Sequence, residues 1–205
     1  MSINTQVVSP GRAYENSYGS QSYPVLVNED IPVGSIFRAV NGTALASSTA
    51  ETSLLTGTTK YGLTPTVGTI PAGAMNVLGK WLRVTARGVI GNTSTPNLTI
   101  KFLLGSSVAL TTGALATVAI TGSGGWVLTG DLYVASTGAT GTVNGHGKFV
   151  YNQTTLLGTT LDLPNAAAVT VDWTAALAMD IKATWGTSSS SNTIALTTLN
   201  VERIA

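Results

Sequence analysis

The sequence predicts an all-β fold, an antiparallel sandwich or barrel, and three observations lead there. Apolar and polar residues alternate with a period of two in run after run beyond Met75, as they do in strands with one buried and one wetter face. Glycine- or serine-rich segments separate the runs at Gly91–Pro96, Gly122–Gly125, Ser136–Gly141 and Gly186–Asn192. No long amphipathic helical period occurs. About eight short strands spaced by turns over the last two-thirds of a chain are the signature of such folds.

The elements follow in order. Residues 1–24 carry Pro10, Gly11, Gly19 and Pro24 with Tyr14, Tyr18 and Tyr23, and show no period. Such a segment reads either as a loose terminus or as an arm whose aromatic residues anchor it at an interface. Strand candidates follow at Val25–Val27 and Val33–Val40, each preceded by a proline where a missing donor is tolerated. Ala46–Gly73 reads as loop with short extended pieces. In Trp81–Ile90, Leu82, Val84, Ala86 and Ile90 share one face, and Arg83, Thr85 and Arg87 the other. Leu98, Ile100, Phe102 and Leu104 alternate with Thr99 and Lys101. A strand over Leu115–Ile120 comes next. Trp126, Leu128, Leu132 and Val134 oppose Thr129, Asp131 and Tyr133, while Val143, Phe149 and Tyr151 oppose Thr142, Asn144, His146 and Lys148. Val169–Trp173, Leu177–Trp185 and Thr193–Val201 complete the set. Two parts result: residues 1–75 as an N-terminal arm and short-strand region, and 76–205 as the sandwich domain.

Composition narrows the function. Only 9 % of the 205 residues are charged, against roughly 25 % in ordinary soluble domains. Ten Lys/Arg against nine Asp/Glu leave a formal net charge of +1, without the positive surplus that phosphate binding demands. Nucleic acid is therefore not an expected partner. No cysteine is present, which excludes a disulfide framework, a thiol nucleophile and a cysteine zinc site. No run of 18 apolar residues suits a bilayer-spanning helix, so no membrane partner is expected. The opening residues lack the basic-then-apolar pattern of a signal peptide, which predicts synthesis in a cytoplasm.

Catalytic constellations are sparse. His146 is the single histidine, so any Ser-His-Asp system must use it, and no G-x-S-x-G elbow occurs. A solvated strand histidine is the expectation. The carboxylates are scattered. Neighbouring Glu29 and Asp30 point to opposite sides of an extended chain, although other pairs can still meet in the fold, as glycosidase chemistry requires. No calcium loop or phosphate loop is present. Gly122–Gly125 reads as a turn leading into a strand, and Asn41-Gly42 and Asn144-Gly145 as turns or bulges. Asn-x-Ser/Thr triplets at Asn41, Asn92, Asn97 and Asn152 are what chance gives in a threonine-rich chain. No enzyme activity, cofactor or metal is expected.

Two surface features bear on partners. Between Glu51 and Asp131 there is no acid, yet Lys60, Lys80, Arg83, Arg87 and Lys101 fall there. Arg83 and Arg87 share a strand face, which is either simply solvated or a mildly positive surface that steers an acidic protein partner. Trp81, Trp126, Trp173 and Trp185 suit core packing, with stacking on sugar rings as the alternative.

Gly79–Ile90, Pro96–Gly105, Gly125–Val134, Asp180–Thr187 and Asn192–Glu202 together resemble the core of jelly-roll virion proteins of tailed bacteriophages. The resemblance spans residues 70 to 204 and is one of strands and glycines, so it carries over no site residue. It implies an antiparallel jelly-roll sandwich. It also implies a capsid decoration (cement) protein that bridges major capsid subunits on the outer head surface, often as a homotrimer. The alternative it implies is a receptor- or carbohydrate-binding module of a tail fibre or baseplate. Expected partner-binding residues are Arg12, Tyr14, Tyr18 and Tyr23 in the arm, with Arg83 and Arg87 on the sandwich.

Overall fold

The computed structural model describes residues 34–62, 68–152, 158–164 and 168–204. Arg12, Tyr14, Tyr18, Tyr23 and the candidate strand Val25–Val27 lie outside them. Among the described residues there are strands and no helix. The short early strands are β1 (Gly34–Val40), β2 (Leu45–Ala46), β3 (Thr52–Ser53), β4 (Thr59–Gly62) and β5 (Thr69–Ile70). The longer ones begin with β6 (Trp81–Asn92), β7 (Asn97–Leu104), β8 (Ser107–Thr111), β9 (Leu115–Ala116) and β10 (Ile120–Ser136). The chain continues through β11 (Gly141–Asn152), β12 (Gly158–Pro164), β13 (Val169–Val171), β14 (Leu177–Trp185) and β15 (Thr193–Arg203).

These strands build two antiparallel sheets packed face to face, a β-sandwich. The large sheet runs β12-β11-β10-β6-β15-β1-β4, with β13 on β11 and β2 on β15. The small sheet runs β3-β14-β7-β8, with β5 on β14 and β9 on β7. Period-two patterning decides which face turns inward. Leu82, Val84 and Ala86 of β6, Leu128 and Leu132 of β10, and Leu199 and Val201 of β15 meet Ile100 and Phe102 of β7 and Ile181 and Ala183 of β14 in one core. The early region is woven into the same core: Ile36, Phe37 and Ala39 of β1, Leu54 and Ile70 are all buried.

Tryptophans fill the largest spaces. Trp126, Trp173 and Trp185 are each at most 1 % exposed, so the core reading holds for them. Sugar stacking on those three is excluded, and only Trp81 remains at the surface. The Trp126 indole N–H donates to the carbonyls of Val89 and Ala195, 3.2 Å from each.

Two sequence expectations are corrected. Gly122–Gly125 is not a turn between strands but part of β10. Ile120 pairs with Asn92 and Gly124 with Ile90, so β10 advances four residues while β6 retreats two, a bulge that glycine permits. The strand expected over Leu115–Ile120 accordingly splits, its last residue opening β10. Asn144-Gly145 also lies in unbroken pairing, opposite Tyr133 and Leu132. A turn dipeptide in mid-strand here serves packing, with Gly145 facing inward.

Gly130 and Gly147 pair across β10 and β11, and Gly130 faces Leu110 of β8. A Cβ on Gly130 would overlap the Leu110 side chain, and one on Gly147 would come 2.5 Å from the Thr129 carbonyl oxygen. Gly130→Ala is therefore expected to destabilise the fold by about 1–3 kcal/mol through overpacking. Gly125→Ala, whose Cβ would find its nearest neighbour 3.9 Å away, is expected to stay within about 0.5 kcal/mol. Urea unfolding of both variants checks the contrast.

Candidate functional site

Each strand that turns one face to the core turns the other to solvent. On the large sheet this outer face is ordered by register into cross-strand rows. One row runs Ser35, Glu202, Arg83, Asp131, His146 over β1, β15, β6, β10 and β11. The next runs Arg38, Asn200, Thr85, Thr129, Lys148, Asp162, reaching β12. On the other side of the first row lie Trp81, Tyr133 and Asn144.

Arg83 is held by Asp131. Its Nε donates to Oδ1 at 2.8 Å and its Nη2 to Oδ2 at 3.1 Å, the two-toothed geometry that guanidinium and carboxylate favour. These bonds, with the Asp131 charge and then Glu202, raise the Arg83 pKa further above its usual value. Arg83 is thus not a free positive group. Arg87, on the same face, pairs with Val127 and Thr198, carries no ion pair among the described residues and is exposed. The two arginines expected to act together are electrostatically different.

Arg83, Thr85, Thr129, Gly130, Asp131, His146, Gly147 and Lys148 line an open hollow of about 290 Å³. It lies over the paired glycines Gly130 and Gly147, the first of which meets Leu110 on the inner side. His146 stands across from Asp131, but both Asp131 oxygens are engaged by Arg83. No hydrogen bond joins His146 to a carboxylate or hydroxyl among the described residues. Among them, too, no three His, Asp or Glu side chains gather as a metal site would need.

A second feature sits at one corner of this face. Trp81 and Tyr133 stack with ring centroids 5.6 Å apart, and Asn144 donates to the Tyr133 hydroxyl at 2.7 Å. The turn leading into β6 is pinned here, because the Gly79 N–H donates to the Val134 carbonyl and the Val134 N–H to that of Lys80. Its two apolar residues, Val77 and Leu78, point outward. Leu78 is 65 % exposed, Trp81 38 % and Tyr133 37 %. Of the six large hydrophobics exposed among the described residues, four therefore lie between positions 77 and 81 or at 133. Single exposed apolar residues are ordinary; a contiguous group marks an interaction surface. Alternation alone does not reveal this group, because Val77 and Leu78 precede the strand.

The small sheet's outer face is neutralised differently. Glu51 binds the Lys101 ammonium and lies 3.4 Å from that of Lys182, so one carboxylate serves two cations on neighbouring strands. Ser53 donates to Asp180 at 2.6 Å. Of the cations between Glu51 and Asp131, Lys101 and Arg83 are thus ion-paired. Lys80 is buried, its ammonium donating to the Ala74 carbonyl at 2.9 Å.

In comparisons with known proteins, the chain matches no family, no curated protein and no solved structure.

The Lys101 hydrogen bond, with the Lys101 charge and a lesser contribution from Lys182, outweighs desolvation and lowers the Glu51 pKa from 4.5. A carboxylate lowered on folding contributes stability that is fully present above its unfolded value and is lost as pH falls through the folded one. Glu51→Gln is expected to flatten the fall in melting temperature below about pH 4.5. Thermal melts of both proteins across that range measure it, and equal slopes would contradict the pairing.

Proposed function

We propose that this chain is a structural virion protein of a tailed phage. In this reading it is a capsid decoration (cement) protein that docks on the outer head surface and stabilises the shell by bridging major capsid subunits. The observation that carries the reading is the exposed apolar corner of Val77, Leu78, Trp81 and Tyr133, with Arg83 beside it. Tryptophan, tyrosine and arginine are the residues most often found at the energetic centre of protein interfaces. Low charge adds to it, since a face with few charges loses little solvation when covered. Virion location, the capsid partner and a homotrimeric state belong to the same proposal.

The finer fold reading, a jelly roll, is supported by strand order. Leaving out the additional strands, the large sheet contains β1-β15-β6-β10 and the small sheet β3-β14-β7-β8. The chain alternates between sheets except at the β7–β8 hairpin, and its first and last strands pair. That order supports reading the winding as an eight-stranded jelly roll, an architecture common in capsid proteins. Strands β11, β12 and β13 widen the large sheet beyond β10.

The clamp is non-covalent. The apolar corner supplies a desolvated centre, Arg87 a rim charge that steers encounter, and Arg12, Tyr14, Tyr18 and Tyr23 further contacts to the partner. Co-sedimentation with capsids lacking this protein tests the reading. Leu78→Asp is expected to weaken binding by about tenfold or more without lowering the melting temperature, because Leu78 is exposed. Deletion of residues 1–24 is expected to weaken it as well. Undiminished binding of the Leu78 variant removes the corner from the interface, and undiminished binding of the deletion removes the arm.

A further inference from the structure

Arg83 stands between the proposed docking corner and the hollow over β6, β10 and β11, whose other lining residues have no part in the docking role. We infer that the hollow is a binding site for one saccharide ring, a site independent of where the protein sits on a particle. Its residues leave much of their hydrogen-bonding capacity open. Asp131 spends one site on each oxygen in holding Arg83, and a carboxylate offers about four. Arg83 spends two donors of five. Thr85 and Thr129 face each other across β6 and β10, and their hydroxyls have no protein partner among the described residues. His146 offers a donor and an acceptor. Lys148 has only a distant ion pair, 3.9 Å from Asp162.

Donors and acceptors therefore alternate within two adjacent rows, about 5 Å apart from strand to strand. A monovalent anion meets the central Asp131 charge, and a cation meets Arg83 and Lys148. A ring of hydroxyls, each both donor and acceptor, meets complementary groups at every position. The guanidinium and carboxylate hold each other by two hydrogen bonds, so they present donor and acceptor positions to neighbouring hydroxyls with less ordering cost. Size agrees with one ring. A hollow of about 290 Å³ lies at the lower bound of roughly 300–1,000 Å³ for pockets holding drug-sized ligands. The floor is backbone at Gly130 and Gly147.

Saturation-transfer NMR on the full chain tests this with glucose, galactose, mannose and N-acetylglucosamine as probes, each at several times about 1 mM, the range of weak single-site affinity. At least one is expected to bind. Asp131→Asn and Thr129→Val are each expected to raise its Kd by about tenfold, a loss of about 1.4 kcal/mol. Both positions are on the outer face, and the melting temperature of the Thr129 variant is expected to stay unchanged, separating a lost contact from a lost fold. Absence of binding by all four probes overturns the proposal. So does binding that neither substitution weakens, and so does inorganic phosphate binding where every saccharide fails. The capsid is absent from this experiment, so its failure leaves the docking role standing and the converse also holds.

Discussion

The sandwich depends on one backbone ladder, the pairing of β15 between β1 and β6. Asn200 lies between Arg38 and Thr85, and Val201 between Phe37 and Val84. Remove that strand and the large sheet falls into two pieces, each exposing an unpaired edge and half of an apolar face. The ladder joins Arg38 to Asn200, so the sheet closes only after residues far apart in the sequence meet. Loop-closure entropy makes such contacts slow to form, and their reward arrives together, when β14 and β15 bring Trp185, Ile194, Leu199 and Val201 into the core.

The same ladder fixes the outer face. Because side chains alternate strictly, the register that buries Val84 against Val201 also sets Arg83 beside Asp131 and Glu202. A slip of one residue would turn every core side chain outward. The arrangement of side chains on this face is therefore specified indirectly, by packing on the other. Gly130 shows the coupling directly, since the space it leaves for Leu110 lies beneath the hollow that it lines.

Much of this was legible in the sequence. Alternation in β6, β7, β11 and β14 identifies their buried faces residue by residue, because period two has no competing explanation over eight or more residues. Glycine was harder. Gly122–Gly125 and Gly145 carry turn chemistry, yet in the fold one cluster makes a bulge and the other residue faces inward within a strand; composition cannot distinguish a reversal from a place where another backbone must come near. Arg83 and Asp131 lie 48 positions apart, and only register brings them together. The apolar corner escaped for a different reason: it joins a turn, a strand start and a strand end, and no single period covers it. Arg87 and His146, by contrast, stand on the solvent face that alternation assigns them.

Few charges, mostly paired on the two outer faces, and one apolar corner describe a molecule suited to being covered by protein. Under the proposed decoration role, quantitative mass spectrometry of purified virions for copies of this chain tests that account most directly. A decoration protein of the head is predicted to be present in hundreds of copies per particle. A few copies, or none, would contradict it.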